Sequence, residues 1–347
     1  MSRIAVVTSN PPFAEGGHLV IARAVIQALR EAGHEAALVT TPQNRFGRQA
    51  AAYAANWLTD VGVDAFGRRI DQVISFRFPS YAVRHERHVC WLNHTMREYY
   101  DLWPRLIAGL GSKGRLKERV RRTLIHASDR YLLSHNVTKL LAQSRTIQGR
   151  LAALRGVRST VLYPPPPQRA YRCDEYGDYL FAVSRLTPLK RFDLLLKALA
   201  EPAAARVRCV IAGEGEEEGR IRTMVRELGL DSRVRMIGGV DAAQLVEQLA
   251  RCRAVCFIPY DEDYGFVTVE AFAARKPVVT CTDSGGPTEL VADGKTGVVS
   301  APEPRALAAA IARVMDDAAT AERMGAAGAE VAATLTWERT VPQLLLA

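Results

Sequence analysis

The sequence predicts an α/β protein made of two doubly wound domains, each with a parallel sheet between layers of helices. Short apolar strand patterns alternate with helical patterns along the chain, which is typical of βαβ units. The chain has 347 residues, 48% of them hydrophobic. That length exceeds one ordinary domain, so we expect two hydrophobic cores.

The first half of the chain begins with a strand and an amphipathic helix. Residues 4–8 form an apolar run typical of a buried strand. A helix is predicted next and ends at Gly33, before a second strand at 35–40. The apolar positions that predict this helix are Leu19, Ala22, Val25, Ile26 and Leu29. The further strands predicted in this half are 72–76, 88–92, 130–134 and 160–163.

Residues 164–167 are four consecutive prolines. Proline lacks the backbone donor of a ladder and favours extended chain, so this run is the predicted connector between domains. We place the first domain at 1–166, the second at 167–335 and a terminal segment at 336–347. The strands predicted in the second domain are 179–183, 207–212, 234–237, 254–258 and 277–281.

Charge is divided unevenly between the halves. Residues 1–165 hold 24 Lys and Arg against 11 Asp and Glu, whereas the remainder holds 22 against 26, which gives the net charge of +9. A cluster in the first half could attract an anionic membrane or a phosphorylated lipid, although a solvated region explains it equally well. Nucleic acid is disfavoured because stacking aromatics are not interleaved with the cations. The cluster comprises Lys113, Arg115, Lys117, Arg119, Arg121 and Arg122.

The chain contains no apolar stretch of about 18 residues. We therefore expect a cytoplasmic protein, with peripheral contact at the inner face of the membrane left open. The six cysteines are scattered, which favours reduced core thiols over a disulfide framework. Cys252 and Cys256 could form half of a metal site, but no second pair follows them.

Two glutamates mark the candidate site. Glu270 lies in the otherwise apolar run 266–274, and Glu262 lies eight positions earlier in a polar, Gly-containing loop. Burying a carboxylate without partners costs several kcal/mol or more, and sugar or ribose hydroxyls are suitable donors. The loop follows the strand at 254–258 and precedes a helix beginning near Phe266, so a helix N-terminus suited to phosphate lies between the glutamates.

This spacing resembles the motif of the retaining glycosyltransferases of the GT-B type, family 4, whose members include sucrose synthase and phosphatidylinositol mannosyltransferase. The family has Gly-Phe-Gly after the first Glu, where this chain has Asp263-Tyr264-Gly265. The resemblance extends over nearly the whole chain. Its other segments are 183–186 followed by Lys190, 211–215, 283–289 and 335–338.

The resemblance implies two facing Rossmann-like domains with an interdomain cleft, the first binding the acceptor and the second the nucleotide sugar. The segment from Trp337 matches a terminal helix that crosses back to the first domain. It also implies transfer of a hexose from a nucleoside diphosphate sugar to a hydroxyl, with the anomeric configuration retained and no metal required. A hexose such as mannose, for a cell-surface polysaccharide or glycolipid, is the substrate we expect.

The resemblance assigns roles to residues of the second domain. Arg185 and Lys190 contact the diphosphate, whose departing oxygen gains negative charge that donors must offset. Glu262 binds sugar hydroxyls, Glu270 binds the ribose diol and Ile237 borders the base. The other donor-binding residues implied are Gly213, Tyr264, Gly265, Phe266 and Val267.

In the first domain, Gly16 and Gly17 let backbone approach a ligand. The resemblance places their loop over the donor phosphates, and a plain structural turn is the alternative. His94 follows the strand at 88–92 and resembles the family's active-site histidine, which approaches the transferred hexose. Without that resemblance, a core or surface histidine would be the simpler interpretation.

Four alternatives have weaker support. Residues 282–287 resemble a trypsin-type nucleophile segment, but such proteases are all-β. Asp261-Glu262-Asp263 resembles an Asp-x-Asp manganese site, although Arg185 and Lys190 already supply positive charge. Gly213-Glu214-Gly215 suggests a dinucleotide-dependent oxidoreductase, but three glutamates follow it. A non-catalytic sugar-nucleotide-binding protein on the same fold also remains open.

Overall fold

The computed structural model describes residues 1–10, 17–43 and 47–346. The chain divides into two compact units. Unit 1 comprises Met1–Pro164 and Trp337–Ala347, and unit 2 comprises Pro165–Thr336. The break between the units falls inside the four-proline run. Each unit contains one six-stranded sheet.

The sheet of unit 1 has the strand order β2-β1-β3-β4-β5-β6, and each neighbouring pair is parallel. Residues 4–9 of β1 are buried without alternation, because helices cover both faces of a parallel sheet. The strands are β1 (Arg3–Asn10), β2 (Glu35–Pro42), β3 (Gln72–Arg77), β4 (His88–His94), β5 (Lys139–Ala142) and β6 (Thr160–Val161).

The helices of unit 1 include the last helix of the chain. Trp337 packs edge-on against Trp91 with ring centroids 6.3 Å apart, and the Gln72 side chain donates to the Leu344 carbonyl at 2.6 Å. These contacts attach the terminal helix to the sheet of unit 1. The helices are α1 (Gly17–Glu31), α2 (Gln49–Trp57), α3 (Trp103–Ala108), α4 (Ser112–Tyr131), α5 (Arg145–Leu151) and, at the end of the chain, α13 (Trp337–Leu344).

The strand predicted at 130–134 is wrong. Helix α4 continues to Tyr131 and runs into a π-helical turn at Leu132–Asn136, and the strand is instead β5. Ile125, Asp129 and Leu132 are buried at spacings of four and three, so Leu132 continues the inner face of a helix, whereas Tyr131 is exposed. A short apolar run does not distinguish a strand from the end of such a helix.

The sheet of unit 2 has the order β12-β11-β10-β7-β8-β9, again with parallel neighbours. Numbered within the unit this is the order 3-2-1-4-5-6, and its direction of winding reverses between β7 and β10. Ligands bind at such a reversal, beyond the carboxyl ends of the strands. The strands are β7 (Tyr179–Val183), β8 (Arg208–Ala212), β9 (Val234–Met236), β10 (Ala254–Cys256), β11 (Val278–Cys281) and β12 (Gly297–Ser300).

Helices connect the strands of unit 2 on both faces of the sheet. Asp241 and Gln244 form a capping box that fixes the start of α8. The helices are α6 (Phe192–Ala200), α7 (Glu218–Glu227), α8 (Ala242–Arg251), α9 (Phe266–Ala273), α10 (Pro287–Leu290), α11 (Pro304–Met315) and α12 (Ala318–Thr334).

The cysteines belong to the two cores. All six are free and five are buried. Burial raises the pKa of the Cys90, Cys209 and Cys252 thiols to about 12, so these groups are protonated at neutral pH and unreactive. In the described part of the chain, none of the helices combines the length and apolar character needed to cross a membrane.

Candidate functional site

Two loops of unit 2 meet where the winding of the sheet reverses. The loop after β7 carries Lys190 on a 3₁₀ turn, and the loop after β10 carries Glu262. Lys190 Nζ donates to Glu262 Oε2 at 2.6 Å, with 13% and 18% of the two side chains exposed. The structure therefore brings together two of the residues predicted from the sequence.

Arg185 lies earlier on the same loop as Lys190. Its side chain is exposed, in contrast to the neighbouring Leu186, which is fully buried. Among the described residues, no ion pair or hydrogen bond is found for the Arg185 guanidinium. A cation in that position can bind an anion without first breaking an internal contact.

Arg191 holds the loops after three strands together. Its Nε donates to the Ile258 carbonyl at 2.7 Å and its Nη2 to the Pro259 carbonyl at 2.8 Å. The guanidinium also donates to both carboxylate oxygens of Asp283, at 2.7 and 2.8 Å. Arg191 has φ 53° and ψ 39°, a left-handed conformation that costs a non-glycine residue roughly 1–2 kcal/mol. The bonds of its side chain oppose that cost.

The glycines of the loop after β11 allow contact between backbones. Glu262 N donates to the Ser284 carbonyl and Gly286 N donates to the Glu262 carbonyl, each at 2.8 Å. A Cβ on Gly285 would lie 2.5 Å from the Glu262 carbonyl oxygen, and one on Gly286 would lie 2.5 Å from Tyr264 Cα. The segment that resembles a protease nucleophile is therefore a support for the acidic loop, and Ser284 is fully buried.

Gly213 has a comparable structural role after β8. It has φ 136°, and a Cβ there would lie 1.8 Å from the Ser184 carbonyl oxygen. Its N–H donates to the Gly238 carbonyl at 2.7 Å, and Ile237 N donates to the Ile211 carbonyl at 2.9 Å. Gly213 and half-buried Ile237 thus lie on adjacent loops. Gly213 also packs closely against Ser184, in the loop that carries Arg185.

We expect Gly213→Ala to destabilise unit 2 well beyond Gly229→Ala. Gly229 also has positive φ, but a Cβ there would meet no atom within 4 Å, so its substitution costs only about 1–2 kcal/mol of backbone strain. Overpacking against Ser184 adds about 1–3 kcal/mol for Gly213→Ala. Thermal unfolding of the two variants measures the difference. Equal melting temperatures would show that the loop adjusts to the side chain.

Helix α9 begins directly at the acidic loop. Gly265, with φ 85°, is its N-cap, and a Cβ there would lie 2.7 Å from the Phe257 ring. The preceding Tyr264 is buried and stacks edge-on with Phe266. As first residues of the helix, Phe266 and Val267 have N–H groups without an acceptor inside the helix. This end of the helix can bind an anion.

Glu270 is buried in α9 but has partners within the chain. Arg169 Nη1 forms an ion pair with Glu270 Oε1, and the Tyr171 hydroxyl donates to the same oxygen at 3.1 Å. Burial raises the pKa of the Tyr171 hydroxyl, which keeps it a donor. Glu270 is therefore satisfied in part within the chain, by a segment just after the proline connector.

In unit 1, His94 is the last residue of β4, and its Nδ1 is 2.8 Å from the Thr95 carbonyl oxygen. Gly17 is the first residue of α1, whereas Gly16 lies outside the described residues. Arg97 and Asp101 form an ion pair at 2.7 Å, which Arg150 extends. His94 and Gly17 belong to a different unit from the lysine and glutamates above.

Residues 169–331 match the family model described as glycosyl transferases group 1. The matched segment lies within unit 2 and comprises 163 of the 347 residues, so the similarity to that family is shown for unit 2. A D-inositol 3-phosphate glycosyltransferase of Nocardioides sp. is 35% identical over 184 residues, which cover 48% of this chain and 40% of that relative. The chain thus spans about two fifths of the length of the curated relatives it matches.

Solved structures similar to this chain match nearly its whole length. The Anabaena protein HepE, in complex with UDP and glucose, has a TM-score of 0.71 at 16% identity and 98% coverage of both chains. A sucrose-phosphate synthase from Thermosynechococcus elongatus has a TM-score of 0.76 at 18% identity, covering 99% of this chain and 97% of that one. These likenesses show the GT-B fold, and the predicted fold class is confirmed.

Sequence reasoning missed three residues of the candidate site. Arg191, Arg169 and Tyr171 each bond to groups 67–101 positions away. One local feature of the sequence could have indicated Arg191, because it directly follows Lys190 and precedes a helix. No local feature indicated Arg169 or Tyr171. Among the described residues, no group of three or more His, Cys, Asp or Glu side chains is arranged to hold a metal ion.

Proposed function

We propose that this chain is a retaining, metal-independent glycosyltransferase that moves a hexose from a nucleoside diphosphate sugar to an acceptor hydroxyl. The observation that carries the proposal is the meeting of Lys190 and Glu262 at the winding reversal of unit 2. The loops after two different strands thereby hold one cation and one carboxylate at the position where open parallel sheets bind nucleotides. Unit 2 is the donor-binding unit in this proposal, and unit 1 binds the acceptor.

Lys190 and Arg185 would bind the diphosphate. The Lys190 ammonium has three donor positions and uses one on Glu262, which leaves two for phosphate oxygens. Arg185 can bind phosphate with two parallel N–H groups. As the bond to the anomeric carbon breaks, both cations would offset the charge that develops on the departing oxygen.

The two glutamates would bind opposite ends of the donor. Glu262 would accept bonds from sugar hydroxyls, and Glu270 from the ribose diol. Arg169 and Tyr171 both bond to Oε1 of Glu270, so the diol would take Oε2. Tyr264, Gly265, Phe266 and Val267 would offer backbone N–H groups at the start of α9, while Gly213 and Ile237 would border the nucleotide.

Retention would proceed without a protein nucleophile. The acceptor hydroxyl would attack on the face from which the diphosphate departs, and a donor phosphate oxygen would take its proton. The role proposed for His94, with the glycine loop of Gly16 and Gly17, is contact with the transferred hexose and the donor phosphates. The acceptor would be a carbohydrate or a lipid-linked carbohydrate of a cell-surface polysaccharide or glycolipid.

A panel of UDP, GDP, TDP and ADP sugars tests this function. The UDP sugars come first, because the similar HepE structure contains UDP and glucose. A donor present at 100 times its dissociation constant adds about 2.7 kcal/mol of stability, which thermal unfolding detects. Donor hydrolysis or transfer, with the α or β configuration of the product determined by NMR, then tests activity and retention.

Three outcomes distinguish the alternatives. Turnover with retained configuration supports the proposal. Binding without hydrolysis or transfer, across the donors and a range of acceptors, would instead identify a non-catalytic sugar-nucleotide-binding protein. An inverted product would contradict the retaining mechanism.

We expect Glu270→Gln to raise the donor KM while kcat changes little, because a neutral amide accepts weaker bonds from a ribose diol than a carboxylate does. The control is Arg169→Ala, which removes the partner but keeps the carboxylate. If Glu270 served only to hold the segment around Arg169, both variants would change KM and the melting temperature equally. A larger KM effect in Glu270→Gln supports ribose binding.

A further inference from the structure

Helix α4 turns its polar side toward the protein. Asp129 is fully buried and accepts hydrogen bonds from three tyrosine hydroxyls, those of Tyr53, Tyr81 and Tyr100. Three donors converging on one carboxylate satisfy it in the core. The helix is therefore attached to unit 1 mainly through polar contacts along this face.

The same inner face carries a second polar cluster, about three helical turns earlier. Glu118 is buried and accepts from the Tyr99 hydroxyl at 2.8 Å, and Arg121 donates to it at 2.6 Å. Arg122 donates to the Tyr99 carbonyl at 2.9 Å and lies over the Trp103 ring. These contacts fix which side of α4 faces solvent.

The outer face of α4 is apolar. Leu116, Val120, Leu124 and Tyr131 are 65%, 55%, 63% and 55% exposed. Their spacings of four, four and seven place them on one side of a helix, and we call them the α4 stripe. Of the nine large hydrophobic side chains that are exposed in the described part of the chain, four belong to this stripe. Single exposed apolar residues are ordinary, but a continuous row on one helix indicates a contact surface.

Cations border the α4 stripe on both sides. By helical geometry Arg119 and Arg130 lie along one edge, Lys117 along the other, and Lys113 lies at its first turn; all four are exposed. Two copies of the helix packed stripe to stripe would bring these like charges together, which disfavours a second copy of the chain. A partner with anionic groups at its surface and an apolar layer beneath them complements both the cations and the α4 stripe.

We propose that α4 docks unit 1 on a lipid bilayer that contains anionic headgroups. The α4 stripe enters the boundary between headgroups and acyl chains, and the bordering lysines and arginines bind lipid phosphates. Three members of the basic cluster, Lys113, Lys117 and Arg119, gain a specific role, because only the folded helix shows that they border an apolar stripe while Arg121 and Arg122 bond to the inner face. This proposal does not depend on the transferase activity.

Vesicle sedimentation of the full chain, without nucleotide sugar, tests the proposal. We expect binding to vesicles of phosphatidylcholine mixed with phosphatidylglycerol, weak binding to phosphatidylcholine alone, and loss of binding as salt increases. Leu116→Gln/Leu124→Gln keeps every charge and should weaken binding about tenfold or more. The matched control is Leu58→Gln/Phe66→Gln, which replaces two exposed apolar side chains elsewhere in unit 1 and should bind like the parent.

Charge is tested separately with Lys117→Gln/Arg119→Gln. Each cation removed should weaken binding to anionic vesicles by roughly fivefold, with no effect on neutral ones.

Equal binding of parent and stripe variant, at equal melting temperatures, would overturn the proposal. So would a parent that sediments as a dimer in analytical ultracentrifugation and a stripe variant that sediments as a monomer, because a second copy would then cover the α4 stripe. Activity toward a soluble acceptor is unchanged in all these variants if docking alone is affected.

Discussion

We expect Arg185→Ala to lower kcat about 100-fold to 1000-fold with every donor that the parent accepts, which corresponds to about 2.7–4 kcal/mol of transition-state stabilisation. The guanidinium is exposed, and no internal bond of its side chain is found among the described residues, so its removal leaves the folded state intact. The charge that it would offset develops only as the diphosphate departs. We therefore expect turnover to fall more than donor affinity.

Steady-state kinetics measure kcat and the donor KM, and a thermal melt measures whether the fold is intact. Arg208→Ala is the matched control, since Arg208 is also an arginine of unit 2 and its side chain, among the described residues, forms an exposed ion pair with Asp178 alone. Both variants should melt at the parent temperature. Normal kcat in Arg185→Ala would remove this residue from the mechanism, whereas an equal loss in both variants would indicate a general effect of charge.

Arg191→Ala destabilises unit 2 by about 2–3 kcal/mol, because two carbonyls and a half-buried carboxylate lose their charged donor. The loss lowers the melting temperature by about 4–12 °C for a unit of this size. Activity also falls, by up to about 100-fold in the folded protein, because the loops that position Lys190 and Glu262 are no longer held together.

Arg191→Gly separates backbone strain from the lost bonds. Glycine adopts φ 53° freely, so this variant should recover about 1 kcal/mol relative to alanine while remaining below the parent. Differential scanning calorimetry of the parent and both variants measures the three transitions, with Arg208→Ala again as control. A glycine variant as stable as the parent would mean that the hydrogen bonds of the guanidinium contribute no more than the backbone strain costs.

The strand and helix pattern of unit 2 was predictable because its buried strands are short apolar runs between turn residues. The run from Ala254 to Thr280 shows this, since strand, acidic loop, helix from Phe266 and next strand all lie as predicted. The error at 130–134 shows the limit. Leu132 and Leu133 there are buried on the inner side of a helical segment, and the tyrosines that bond to its Asp129 come from residues far away in sequence.

The sequence indicated which charged residues the candidate site contains, but it did not reveal all the contacts among them. The spacing of Glu262 and Glu270 favoured a phosphate site at a helix start, and the family resemblance implied a nucleotide sugar held with Arg185 and Lys190. The sequence contained no sign that Arg169 would neutralise Glu270, or that Arg191 would join three loops. Both interactions link positions more than 65 residues apart, and side-chain periodicity reports only on neighbours along one element.

The sequence by itself determined two α/β units, the proline connector and the set of charged groups available at strand ends, because periodicity and backbone chemistry are local properties. The tertiary structure decided which of those groups meet: Lys190 with Glu262, Arg191 with Asp283, and Arg169 with Glu270. It also decided that α4 turns Leu116 and Leu124 outward. Pairing and exposure depend on how elements pack, and packing is set by contacts between residues distant in the chain.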